Sequence, residues 1–263
     1  MQLNIYQVDA FASRVFAGNP AAVCPLEHWL SDETMQQIAR ENNLSETVFF
    51  LQNQENYGIR WFTPKGEVDL CGHATLAAAH VIFHHMDRLA SKIVFSTEKR
   101  GLLTVIKDGS RYVMDFPALN PQVIDLPPQK LLEAVDVAPL EVLGDLDYML
   151  VYENQHQIEN LTVDLSKLVL VDKRGLIVTA QGDSYDCVSR CFYPKNNVPE
   201  DPVTGSAHCA IVPYWAKKRH RSQIKAFQAS ERGGALDCEL HGDRVMMSGQ
   251  AQTYLEGRIY FSI

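Results

Sequence analysis

Two stretches of the sequence repeat the same residues in the same order. The first reads RWFTPKGEVDLCGHATLA from Arg60, and the second reads RCFYPKNNVPEDPVTGSAHCA from Arg190. At a spacing of 130 residues, Arg60, Phe62, Pro64 and Lys65 match Arg190, Phe192, Pro194 and Lys195. After a three-residue insertion, Glu67, Gly72, Ala74 and Ala77 match Glu200, Gly205, Ala207 and Ala210. The chain is therefore predicted to contain two copies of one structural unit.

Both copies also predict the same order of elements. The strand-like stretches ETVFFL at 46–51 and LIVTAQ at 176–181 align at the spacing of 130 residues, and each follows a predicted helix and a polar turn. The prolines between residues 116 and 129 indicate a linker, because proline interrupts helices and central strands. We therefore predict domains at 1–120 and 121–263, with the last strand able to cross back to the first domain.

The helix predicted after Gly72, HATLAAAHVIFHHM, has no clear polar face in its first three turns, so it should be buried on most sides. The stretches around it in the sequence are short and strand-like, at 3–11, 46–51, 58–62, 92–97, 102–107 and 112–116. This pattern predicts an α+β fold in which a mostly antiparallel sheet curves around one central helix, built twice.

The composition argues against several classes of partner. The formal net charge is −8, whereas nucleic-acid and anionic-membrane binding require clustered Lys and Arg. The sequence has no uninterrupted run of eighteen apolar residues and no export signal. We therefore expect a cytoplasmic protein that binds neither nucleic acid nor membrane. The six cysteines form no CxxC pair, so free thiols are expected.

The start of each predicted helix carries residues suited to binding an anion. The first turn of a helix exposes unpaired N–H groups at the positive end of its dipole, and glycine lets a ligand approach the backbone. If the two halves face each other, their helix starts could hold a carboxylate between Gly72, His73, Gly205 and Ser206. Taken alone, His73 is explained more simply as a helix residue bonded to the backbone.

Two acidic residues are candidates for proton transfer or its support. Glu46 begins an apolar strand, and the matching position in the second copy is Leu176. A partly buried carboxylate there would have a raised pKa, as a general base or acid near neutrality requires. An exposed strand end is the simpler interpretation of Glu46. Asp201 precedes the second helix, where it either forms a turn or holds an imidazole in one tautomer.

The motifs of several enzyme classes are missing. The sequence contains no GxGxxG, GxxxxGK[ST], GxSxG or HExxH, which removes support for dinucleotide, triphosphate, α/β-hydrolase and zincin sites. His80 and His84 lie four residues apart without an acidic neighbour, so no metal site is predicted there.

Four blocks of the sequence resemble the signature blocks of the phenazine-biosynthesis PhzF-like family. They read VDAFASRVFAGNPAAV, NLSETVFF, FTPKGEVDLCGHATLAAAH and EDPVTGSAHCAIVPYW, and they span most of the chain. The resemblance implies the diaminopimelate-epimerase-like fold, with two similar domains that are each a β-barrel around a central helix. It also implies an active site between the domains and a homodimer.

The resemblance further implies an isomerase that needs neither metal nor organic cofactor. In the characterised isomerase of that family, the glutamate of the SET motif moves a proton between carbons of a dihydro-hydroxyanthranilate. Carried over to this sequence, Glu46 is the proton shuttle, and His73 and Asp201 are supporting polar groups. Gly72, Gly205 and Ser206 are then expected to bind a small carboxylated substrate.

Two alternative functions remain open, and the first depends on Cys71. A cysteine before this glycine also occurs in cofactor-independent amino-acid racemases and epimerases, which use two facing cysteines. The repeat places Thr204 at the position matching Cys71, and a hydroxyl is far less acidic than a thiol, which disfavours that mechanism. Cys71 is then predicted to be a packing residue. The second alternative is a non-catalytic protein that binds small carboxylates.

Overall fold

The computed structural model describes residues 1–261, which form two compact units. The first unit contains Met1–Asp115 and the chain from Ser248 onward, and the second contains Phe116–Met247. The chain leaves the first unit within strand β8 (Arg111–Pro117) and returns to it within strand β17 (Arg244–Gly249).

The first unit surrounds a buried helix, α2 (Gly72–Val81), which continues into a short π-helical turn at Ile82–Met86. A second helix, α1 (Asp32–Asn42), is capped at its start by Ser31. The remaining strands of this unit are β1 (Gln2–Ala10), β2 (Asn19–Leu26), β3 (Glu46–Gln52), β4 (Tyr57–Phe62), β5 (Glu67–Val68), β6 (Lys92–Thr97), β7 (Gly101–Asp108) and β18 (Ala251–Tyr260).

The second unit also contains one long helix, α6 (Gly205–Arg219), whose C-cap is His220. Three short helices accompany it: α3 (Gln129–Leu132), α4 (Gln155–Asn160) and α5 (Leu165–Leu168). Its strands are β9 (Gln122–Val123), β10 (Glu141–Gly144), β11 (Tyr148–Val151), β12 (Leu176–Gln181), β13 (Cys187–Tyr193), β14 (Val198–Asp201), β15 (Gln223–Gln228) and β16 (Gly234–His241).

The strands of both units pair in the same sequence of directions. In the first unit β2 runs parallel to β3, β3 antiparallel to β4, β4 parallel to β6, and β6 antiparallel to β7. In the second unit β11, β12, β13, β15 and β16 repeat these four relationships in order. The predicted α+β fold with mostly antiparallel pairing is confirmed.

The repeated arginine and glutamate form the same ion pair in both units. Arg60 Nε and Nη2 each donate to one carboxylate oxygen of Glu67 over 2.7 Å. Arg190 Nε and Nη2 donate to the two carboxylate oxygens of Glu200 in the same way, over 2.7 and 2.9 Å. Each guanidinium also lies over a phenylalanine ring of its own strand. These pairs fix the segment that leads into α2 or α6, which explains why both residues recur in the sequence.

The burial of α2 follows from its composition. Every residue from His73 to Val81 is buried, and helix α2 contacts β1, β2, β3 and β18. Its alanines have short side chains, so strands can approach the helix closely on several sides. The prediction of a helix buried on most sides is confirmed. No helix within residues 1–261 is long and apolar enough to cross a membrane.

Candidate active site

The carboxylate of Glu46 lies beside the imidazole of His73 in the first unit. Glu46 is the first residue of β3 and its side chain is 17% exposed, while His73, in the first turn of α2, is 5% exposed. Glu46 Oε2 and His73 Nε2 are 3.1 Å apart. Their geometry is not that of a hydrogen bond, and neither atom finds another hydrogen-bond partner among residues 1–261. Both atoms can therefore bond to a ligand.

Cys71 contacts the other nitrogen of the same imidazole. Its Sγ atom is 3.4 Å from His73 Nδ1, and the residue is the N-cap of α2 without forming a side-chain capping bond. Burial, together with the charge of Glu46, raises the pKa of the Cys71 thiol, although His73 opposes that rise. Cys71 is therefore a neutral thiol with a polar contact. The packing role predicted from the sequence is incomplete.

The charge of His73 depends on the balance between burial and its neighbours. Burial alone would lower the pKa of His73, but the influence of Cys71 and of the Glu46 carboxylate is larger and raises it well above its ordinary value. A protonated His73 beside an ionised Glu46 is an ion pair in a site shielded from water. Such a pair can supply both a proton acceptor and a positive charge to a bound ligand.

In the second unit, Asp201 is held by the start of α6. Thr204 is the N-cap of that helix and donates its hydroxyl to Asp201 Oδ2 over 2.5 Å. The wholly buried amide of Gln228 donates to the Asp201 carbonyl and to Thr204 Oγ1, and accepts from the Thr204 N–H. Asp201 is therefore held by connected hydrogen bonds to Thr204 and Gln228, which goes beyond the turn role considered from the sequence.

Gly205 and Ser206 form the first turn of α6. Ser206 is exposed, and its Oγ atom accepts a hydrogen bond from Arg174 Nη2 over 3.2 Å. The position matching Gly205 in the first unit is Gly72, the first residue of α2. Each unit thus starts its buried helix with a glycine followed by a polar residue, which in the first unit is His73.

The first turns of α2 and α6 each contain one further hydrogen bond of the same kind. Thr75 donates its hydroxyl to the Cys71 carbonyl over 2.6 Å, and His208 Nδ1 donates to the Thr204 carbonyl over 2.8 Å. Thr75 and His208 occupy matching positions of the repeat. Burial lowers the pKa of His208 to about 4, so its imidazole is neutral near neutral pH.

One group of side chains has the donor types of a metal site. Glu46, Cys71 and His73 each place one ligand atom within 4.8 Å of the others. The thiol contacts Nδ1 of His73 and the carboxylate lies beside Nε2. These three residues therefore have the donor types and the spacing of a candidate metal-binding group.

The structure also contains polar partners that the sequence analysis did not identify. They are Arg174 beside Ser206, and Thr204 and Gln228 beside Asp201. The sequence gives one weak indication that Arg174 has a special role, because the matching position in the first copy of the repeat is Leu44. A charged residue in one copy against an apolar one in the other is the same asymmetry that distinguished Glu46.

Residues 8–257 match the family described as phenazine biosynthesis-like protein. The chain belongs to this family. A relative from Pseudomonas aeruginosa, named an uncharacterized isomerase, is 47% identical over 260 residues, which cover 99% of this chain and 100% of that protein. The expected resemblance to PhzF-like proteins is confirmed, and these relationships identify the chain as an isomerase in the broad sense.

Solved structures support the same assignment. A PhzF-family phenazine biosynthesis protein from Enterococcus faecalis matches with a TM-score of 0.96 and 43% identity, over 99% of this chain and 100% of that one. A hydroxyproline epimerase from Agrobacterium vitis matches with a TM-score of 0.60 and 9% identity, over 98% and 92% of the two chains. The latter similarity concerns the fold alone. The phenazine biosynthesis-like chain therefore has the epimerase-like fold expected from its sequence.

Proposed function

We propose that this protein is an isomerase that moves a proton between two carbons of a small carboxylated molecule, without a metal or organic cofactor. Glu46 takes the proton from one carbon and returns it to another. His73 holds the carboxylate of Glu46 and supplies positive charge where negative charge develops on the substrate. The product differs from the substrate only in the positions of one proton and one double bond, so atoms and electrons balance.

The observation that carries this proposal is the buried contact between Glu46 and His73. Glu46 Oε2 and His73 Nε2 lie 3.1 Å apart as an ion pair, and outside this contact neither atom has a hydrogen-bond partner among residues 1–261. A carboxylate oxygen can accept more than one hydrogen bond, so a substrate can bind to Glu46 while His73 stays beside it. A packing contact does not require a buried acid–base pair.

The polar residues of the second unit support substrate binding in this proposal. Asp201 offers a carboxylate that Thr204 and Gln228 hold rigidly, and can accept a hydrogen bond from a substrate N–H or O–H group. Ser206, exposed on the first turn of α6, can donate its hydroxyl to a substrate carboxylate.

Two other functions are less well supported. A racemase with two facing thiols requires a second cysteine, and the N-cap position matching Cys71 is occupied by Thr204, whose hydroxyl is donated to Asp201. A protein that only binds carboxylates has no need for a buried acid–base pair such as Glu46 and His73. The first alternative predicts inversion at one carbon, and the second predicts no turnover of any substrate.

The test is turnover of a panel of unsaturated cyclic amino- and hydroxycarboxylates, including a dihydro-hydroxyanthranilate, followed by NMR in D₂O. Glu46→Gln keeps the size of the side chain but removes its basicity. Because positioned acid–base groups contribute about 10²–10⁴-fold, the variant should lose that much turnover while binding the ligand nearly as well. Deuterium incorporation can be low if the buried acid returns the same proton, so turnover is the decisive measurement.

Glu41→Gln is the matched control, because Glu41 is an exposed residue near the end of α1. It should retain wild-type turnover. A folded Glu46→Gln protein with near-normal turnover would remove Glu46 from the mechanism, leaving His73 or Asp201 as the next candidate base. Absence of turnover across the panel, with tight binding of one member, would favour the binding protein.

A further inference from the structure

Arg174 is held in one orientation by a buried carboxylate. Its Nε and Nη2 atoms donate to the two oxygens of Asp147 over 2.9 and 2.5 Å, and the guanidinium lies 5.0 Å from the centre of the Tyr193 ring. Tyr193 also donates its hydroxyl to Asp147 over 3.4 Å. A two-pronged pair stacked on an aromatic ring leaves the arginine little rotational freedom.

This orientation decides the hydrogen-bonding role of Ser206. Arg174 Nη2 lies 3.2 Å from Ser206 Oγ, and a guanidinium has donors and no acceptor. The oxygen of Ser206 is therefore the acceptor in this contact. Its own O–H proton must point elsewhere, and because Ser206 is exposed, that proton can be donated to a ligand.

The two charged side chains of this ion pair also differ in their exposure to solvent. The side chain of Asp147 is 4% exposed, whereas that of Arg174 is 37% exposed. Arg174 Nη1 makes no hydrogen bond with any residue in the described range 1–261. The negative charge is thus enclosed by protein, and the positive charge with free donors is accessible next to Ser206.

From these contacts we infer that Arg174 is the specificity-determining residue for the substrate carboxylate, and that it acts by fixing Ser206 as a hydrogen-bond donor and adding its own positive charge. The inference rests on the proposed function, in which Ser206 binds a carboxylate. It assigns the preference for a charged carboxylate over a neutral carbonyl group to Arg174. It does not require Arg174 to take part in proton transfer.

The experiment compares two ligands of equal size by calorimetric titration: anthranilate, which carries a carboxylate, and 2-aminobenzamide, in which a neutral amide replaces it. Charge-assisted hydrogen bonds are roughly twice as strong as neutral ones, so the wild type should bind anthranilate at least about tenfold more tightly than 2-aminobenzamide. Arg174→Met should weaken the binding of anthranilate by about tenfold or more, and should change the affinity for 2-aminobenzamide by less than about threefold.

Three further variants separate positioning from general damage. Ser206→Ala should also lose preference for the carboxylate, and combining it with Arg174→Met should add little, because coupled residues are not additive. Arg174→Lys keeps the positive charge but cannot form the two-pronged pair with Asp147, so it should retain only part of the wild-type preference for anthranilate. Arg174→Met together with Asp147→Asn removes both charges, and should lose the preference even if Arg174→Met alone folds poorly.

Lys218→Met is the control, because it removes a cation of the same unit that pairs with Glu141 at the end of α6 away from Ser206. It should keep the wild-type preference. The inference is overturned if wild-type protein does not prefer anthranilate, or if the folded Arg174 variants retain the preference. These binding measurements need no turnover, so they are independent of the Glu46→Gln test. Turnover decides whether Glu46 transfers the proton, and the ligand preference decides whether Arg174 selects the carboxylate.

Discussion

The thiol of Cys71 lies 3.4 Å from Nδ1 of His73, while the carboxylate of Glu46 lies 3.1 Å from Nε2 of the same ring. The imidazole is therefore contacted at both nitrogens by groups that can hold or share a proton. Because the pKa of His73 is raised, its protonated ring carries a hydrogen on each nitrogen, one on the side of the Cys71 sulfur and one on the side of the Glu46 carboxylate. Cys71 is thus a direct neighbour of the acid–base pair.

Replacing Cys71 with Ser or Ala should leave turnover within about tenfold of wild type, or about 1.4 kcal/mol of barrier. The physical reason is that burial keeps the thiol neutral, so it is not the base, and Glu46 still contacts Nε2 of His73. Steady-state kinetics measure the effect, with Cys24→Ala as a control for loss of a buried thiol in β2. If Cys71→Ala abolishes activity in a folded protein that still binds ligand, the racemase-like mechanism becomes the better account.

Replacing His73 with Gln should lower turnover by about 10–100-fold, which is about 1.4–2.7 kcal/mol of barrier. The variant removes the positive charge beside Glu46 but keeps a polar side chain in the first turn of α2. The wild type should lose activity as the pH rises through the raised pKa of His73, because the imidazolium is then lost. His73→Gln should lack this alkaline decline in kcat. An unchanged pH profile in the variant would show that His73 does not act through its charge.

Activity should not depend on a metal ion. In the proposed mechanism Glu46 and His73 supply the proton acceptor and the positive charge themselves, although together with Cys71 they also have the donor types of a metal site. Treatment with EDTA should leave turnover unchanged, and elemental analysis of active protein should find less than one metal per chain. Stoichiometric zinc or iron bound through His73 and Asp201, with activity that is lost on chelation and restored by the metal, would contradict this.

Stability should fall as the pH is lowered from about 6.5 to about 4, in part because of His208. Burial lowers the pKa of His208 to about 4 from its ordinary value of 6.5, so in this range the unfolded chain binds a proton that the folded chain excludes. His208→Asn keeps an N–H donor for the Thr204 carbonyl and removes the titration. Urea unfolding across this range should show a smaller loss of stability in the variant, by on the order of 3 kcal/mol.

His241→Asn, at an exposed position, is the control for the His-to-Asn replacement itself, and should leave the free energy of unfolding at neutral pH within about 0.5 kcal/mol of wild type. His80, whose pKa burial lowers to about 3, adds a similar loss to every variant that retains it. Equal slopes for wild type and His208→Asn would show that His208 is not the group that titrates.

The sequence predicted β1, β3, β4, β6, β7 and β8 because their apolar residues are grouped in short β-rich stretches, but it did not predict β2. This strand reads NPAAVCPL, and its prolines and alanines argue against a central strand. In the structure it pairs with β1 on one side and β3 on the other. Pairing on both sides buries it despite its low strand propensity, a tertiary effect that local composition does not reveal.

The sequence by itself determined the repeated unit, the buried helices that begin at Gly72 and Gly205, and the candidates Glu46 and His73. It could do so because helix starts, strand composition and an internal repeat are local or ordered patterns. Only the tertiary structure decided which side chains touch. His73 meets Glu46 because β3 and α2 pack within one unit, and Arg174 meets Ser206 although they are 32 residues apart. Such contacts depend on how distant segments are brought together, and no short-range pattern specifies that arrangement.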